Sequence, residues 1–113
     1  MQALCNYLPA AKAHEEIFRN ILRDLKANRA MRPGGMYVPD HIDPEAPLEA
    51  IYEKLSTGNR YGIFTITDFS VEADKAVIVF EDVAALSGGG AGLVYTISGV
   101  VVEYKCPQFV MMS

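Results

Sequence analysis

The spacing of apolar residues changes once along this chain, and that change divides it into a helical part and a sheet part. Between Pro9 and Arg29, Ile17, Phe18, Ile21, Leu22 and Leu25 recur three and four residues apart, the stripe that an amphipathic helix buries. From Tyr61 onward, β-branched and aromatic residues come in short runs with Gly, Asp and Ser between them, the texture of strands. The runs predict strands at Tyr61–Phe69, Ala76–Val83, Leu93–Ser98 and Val100–Lys105, and a short fifth at Phe109–Met112. Turns are expected at Glu72–Lys75, Ser87–Gly92, Gly99 and Pro107. Links this short make successive strands antiparallel neighbours.

The first helix should stop near Arg32, because Pro33 disfavours the α conformation in the residue before it and Gly34 and Gly35 free the backbone. After a connecting loop over residues 33–43, Asp43-Pro44-Glu45 supplies a cap, a proline for the first turn and an acidic group for the positive helix end. A second helix is expected from there to about Leu55, burying Leu48, Ile51, Tyr52 and Leu55, with Gly58-Asn59 as its stop. At 113 residues, half of them apolar, the chain suits one α+β domain with a single core over 1–113: two helices on a curved antiparallel sheet of four to five strands.

Ala76 to Phe80 is apolar at every position, so alternation cannot give that strand a polar side. One face meets the helices, and the other is too apolar for water. A homodimer through the sheet is the expected consequence.

Charge is unevenly spread under a net −4. Residues 1–32 carry six basic and three acidic side chains, and the remainder four basic and eleven acidic. Lys12, Arg19, Arg23 and Lys26 share a flank of the first helix, where Glu15 and Arg19 form an i,i+4 pair. That flank suits either solvent or an acidic sheet edge, within this chain or from a second subunit. The overall balance argues against nucleic acid as a partner. Absence of a membrane-length apolar run argues against a membrane, and a start without a basic n-region reads as cytoplasmic.

Candidate chemistry is sparse. Cys5 and Cys106 match neither a redox pair nor a zinc cluster, and free thiols are the expectation, with a disulfide as the alternative. Ser87 to Gly92 leads into a strand without Gly-Lys-Ser/Thr, so it suits a turn better than a phosphate cradle. His14 lies one turn before Ile17 and Phe18, yet position 18 is Phe, and the His-Glu-x-x-His zinc pattern is absent. Asp40, His41 and Asp43, with Glu45, form a polar cluster in the loop before the second helix, and functional residues concentrate in loops. No cofactor or metal is expected, and no nucleophile motif is present.

The closing segment runs Val-Ile-Val-Phe, then Ser-Gly-Gly-Gly-Ala-Gly-Leu-Val-Tyr-Thr-Ile-Ser, then Val-Val-Val-Glu-Tyr-Lys and Phe-Val-Met-Met-Ser. It resembles the last strands of small bacterial proteins with cystatin-like or nuclear transport factor 2-like folds, several of unknown function. That resemblance implies a long helix wrapped by a curved sheet, often dimeric, and it carries no catalytic residue because the group shares a shape and not a site. Two functions fit the residues. One is a non-enzymatic interaction or accessory protein acting through the apolar sheet face, on a protein partner or its own copy. The other is a domain or modest enzyme that binds a small apolar ligand between the first helix and the concave sheet, with His14, Tyr52, Tyr95 and Tyr104 as its polar points.

Overall fold

The stripe found in the sequence lies on helix α2, Glu15–Ala27, in a computed structural model that describes residues 7–32, 38, 42–56, 64–82 and 90–108. A short helix α1, Leu8–Ala13, precedes it, and a 3-10 turn over Arg29–Met31 follows. The expected single helix is thus interrupted at His14, whose φ of −130° and ψ of 51° leave the helical region. Neither Gly nor Pro marks this break. The two pieces pack on different elements: α1 contacts helix α3, Leu48–Ser56, and strand β1, Phe64–Glu72, while α2 contacts strand β4, Val101–Gln108.

Helix α3 starts later than its capping signal suggested. Asp43 closes a turn instead, accepting the Glu45 N–H on its carboxylate at 2.9 Å and the Ala46 N–H on its carbonyl at 3.0 Å. The helix begins after Pro47, whose carbonyl accepts the Ala50 and Ile51 N–H groups. A proline just before the helix satisfies the same start rule one turn further on.

The sheet is a four-stranded antiparallel meander in the order β1-β2-β3-β4, formed by Phe64–Glu72, Lys75–Asp82, Gly90–Ser98 and Val101–Gln108. Pro107 sits within β4 rather than in a turn, as an edge position of the described sheet permits. The β1–β2 turn is two residues long, and Ala73 adopts a positive φ of 54° there.

Bulges explain why alternation was hard to read. Ile66 pairs with Phe80 and Asp68 with Val79, so Thr67 is an extra residue. It turns Phe69 onto the face that Ile66 already occupies. Lys105 is likewise extra between Tyr104 and Cys106. One face of the sheet therefore presents Ile66, Phe69, Ala76, Ile78, Phe80, Leu93 and Tyr95 to Phe18, Ile21, Leu22 and Leu25 in one buried cluster. Phe18 meets Phe69 edge-on at 5.1 Å between ring centroids, a favoured aromatic geometry.

Gly90 opens β3 where nothing larger fits, since a Cβ there would overlap the Phe80 carbonyl oxygen. Gly90→Ala is expected to lower stability by about 1–3 kcal/mol through overpacking, read as a lower urea midpoint at constant m-value. An unchanged midpoint would contradict this register.

The first helix, expected to stop near Arg32, ends at Ala27 and gives way to the 3-10 turn. Helix α3 ends at Ser56, close to the expected Leu55, and Gly90 to Gly92, expected in a turn, open β3. Pro33, Gly58-Asn59, Ser87 to Gly89 and the fifth strand lie outside the described residues, as do Cys5, Asp40 and His41.

Candidate functional site

The basic flank of α2 grips its own chain. Arg19, 9% exposed, donates to the carbonyls of Pro44 at 2.7 Å and Ala46 at 2.6 Å, and to the Glu15 carboxylate through two nitrogens at 2.9 and 2.7 Å. One turn along, Arg23 forms a two-pronged pair with Glu45 at 2.6 and 2.7 Å. Lys26 then donates to the Ile42 carbonyl at 2.7 Å. Residues spaced three and four apart on one helix face thus hold the turn segment from Ile42 to Ala46. The acidic partner of Arg23 on this flank is Glu45, in the turn before α3 and not on a sheet edge as expected. Asp43 and Glu45 both serve the fold, and among the described residues no group of three His, Cys, Asp or Glu side chains is placed to hold a metal ion.

A second polar cluster joins the C-terminal half of α2 to the sheet. Asp24 accepts four side-chain hydrogen bonds: from Arg32 Nε at 2.8 Å and Nη2 at 2.9 Å, from Asn28 at 2.9 Å and from the Tyr95 hydroxyl at 2.6 Å. Arg32 also lies over the Tyr104 ring, 4.7 Å from its centroid, in cation–π range. Burial works to raise the Asp24 pKa, but the bonds from Arg32, Tyr95 and Asn28 outweigh it and hold the carboxyl below its ordinary value. Burial and the hydrogen bond to Asp24 push the Tyr95 hydroxyl well above the ordinary tyrosine range, so it is a fixed donor at neutral pH. Closer to the helix start, the Asn20 side-chain amide donates to the Val100 carbonyl at 2.7 Å, pinning the β3–β4 turn.

The four candidate pocket residues fall into separate places. Tyr95 is fully buried and meets Tyr104 edge-on at 5.7 Å, and both belong to the Asp24 cluster. Tyr52 packs on Tyr7 at 5.0 Å, and Tyr7 on Phe18 at 5.6 Å. His14 is half-buried at the junction of α1 and α2. Between α2 and the sheet lie the fully buried side chains of Phe18, Ile21, Leu22, Phe80 and Leu93. Elsewhere, an open cleft of about 410 Å³ is lined by Lys12, Glu15, Arg19, Pro47, Leu48 and Glu49. Its charges are paired, Lys12 of α1 with Glu49 of α3 at 2.7 Å and Arg19 with Glu15 along α2 at 2.7 Å.

The sheet face turned away from the helices carries a different surface. Register places Val77 beside Val94 and Cys106, and Val79 beside Gly92 and Gln108. Val77, Val94 and Cys106, whose thiol is free, are half-buried. Val79 is 7% exposed, and Gln108 reaches over Gly92 next to it. Exposed Asp68, Ser70, Glu72, Lys75, Glu81 and Glu103 frame this strip. Sequence reading had anticipated an apolar second face, and the register reduces it to a narrow strip within a charged frame. Among the described residues no helix is long and apolar enough to cross a membrane.

Comparison of the chain with protein-family models, with curated proteins and with solved structures finds no match.

Proposed function

We propose that this chain is a small non-catalytic accessory protein that docks through the outer face of its sheet. The observation that carries the reading is the half-buried strip of Val77, Val94 and Cys106, beside the nearly buried Val79, on the side of the sheet opposite the helices. An apolar strip with a polar frame is the make-up of an interaction surface. The polar residues elsewhere support it, since Arg19, Arg23, Lys26, Asp24 and Tyr95 are each engaged with their own chain. The same reading keeps the closing strands as cystatin-like or nuclear transport factor 2-like, with helices on one sheet face and the other free to dock.

A photo-reactive amino acid placed at Val94, compared with one at exposed Glu16 on α2, tests it in cells. One discrete cross-linked product is expected from Val94 and none from Glu16. No product from Val94, or equal products from both positions, would overturn the assignment of this face.

A further inference from the structure

The outward residues of β2 read Lys75, Val77, Val79 and Glu81, and that order is self-complementary when the strand is laid against a reversed copy of itself. Resting on the docking reading above, we infer that the occupant of this face is a second copy of the chain, related by a two-fold axis that crosses β2 between Val77 and Val79. The axis lies across the strands. It sets Val77 over Val79 of the second copy and Lys75 opposite its Glu81, each contact occurring twice by symmetry, as an isologous interface requires.

Neighbouring strands fit the same axis. The row Ser70, Val77, Val94, Cys106 falls on the row Asp68, Val79, Gly92, Gln108. A hydroxyl then meets a carboxylate, the Val94 side chain meets the Gln108 side chain that lies over Gly92, and the Cys106 thiol meets an amide. No like charges are opposed in these rows. Glu81 already accepts the Thr67 hydroxyl at 2.9 Å, which orients its carboxylate while leaving acceptor sites for a lysine.

Among the described residues, the edge strands of the sheet offer a second copy less. β1 carries the bulge at Thr67, and β4 the bulge at Lys105 and a proline at 107. These devices blunt an edge against strand addition, which leaves the face. Its four strands of eight or nine residues span about 19 by 27 Å, on the order of 500 Å² per copy. A total near 1,000 Å² sits at the small end for a specific interface, so the expected dissociation constant is micromolar.

Light scattering on the full chain from about 5 µM to 1 mM reads the mass directly, with circular dichroism confirming that each variant is folded. A rise from 12.4 kDa toward twice that value is expected. Val77→Lys should remain a monomer throughout while melting as the parent does. Lys75→Glu and Glu81→Lys should each weaken association about tenfold, because each places like charges opposite one another at two symmetric contacts, and the double reversal should restore it to within about threefold. A parent chain that stays monomeric at 1 mM, a Val77→Lys dimer, or a double reversal without rescue overturns self-pairing. If the monomer still yields the Val94 product in cells, docking stands and only the identity of the partner changes. If that product is also absent, both fail.

Discussion

Ile21→Asp is expected to abolish cooperative folding. Ile21 is 0% exposed and sits among Phe18, Leu22 and Leu25 on the buried stripe of α2, with no polar group of the stripe to receive a carboxylate. Burying an unpaired charge costs several kcal/mol, or forces the group to take up a proton at similar expense. Domains of this size hold only about 5–15 kcal/mol in total. Ile21→Val, which removes one methyl group, should cost about 1 kcal/mol and lower the melting temperature by a few degrees. The pair of variants separates burial from mere sensitivity of the site. A cooperative melt of the Asp variant near the parent temperature would place α2 elsewhere than against the sheet.

Asp24 carries the second large effect. Asp24→Ala strands the Arg32 guanidinium and the Tyr95 hydroxyl together. Removing one side of a buried ion pair costs about 3–5 kcal/mol, and side-chain exposures of 21% for Asp24 and 16% for Arg32 bring the expectation to about 2–3 kcal/mol. In a chain this long that is a melting shift of roughly 10 °C. The pH dependence follows from the depressed pKa of Asp24. Its stabilising contribution is complete above the unfolded carboxyl value near 4 and disappears as pH falls through the lower folded value. Parent stability should therefore drop below about pH 4 more steeply than that of Asp24→Asn, measured by urea midpoints from pH 6 to pH 2.5. Parallel profiles would mean that the Asp24 cluster does not titrate with folding.

How much of this was legible depends on which atoms do the work. Side chains that act by burial announced themselves: Ile17 through Leu25 gave α2, and Ala76 through Phe80 gave the central strand with its two-sided apolar character. The bulges did not, because Thr67 and Lys105 are ordinary strand residues and only the partner strand reveals that each is extra. Nor did the role of Arg19 and Lys26, whose acceptors are backbone carbonyls of Pro44, Ala46 and Ile42 and so leave no trace in residue type. Asp24 had a local signal in Asn28 four residues on, and its long-range partner Tyr95 was singled out for its hydroxyl. What joined them was a tertiary contact across 71 positions. Asp43 reads in the sequence as the cap of the second helix, whereas its carboxylate and carbonyl close the turn that precedes Pro47, because the same side-chain oxygen can serve either.

The staples between α2 and the last two strands also order events during synthesis. Asn20 must wait for Val100, 80 residues later, and Asp24 for Tyr95, 71 residues later. At roughly 5–20 residues per second, the helix leaves the ribosome several seconds before the strands that fix it exist. Its apolar stripe is thus made well before the strands that secure it, a vulnerability of the nascent chain that the finished domain no longer shows.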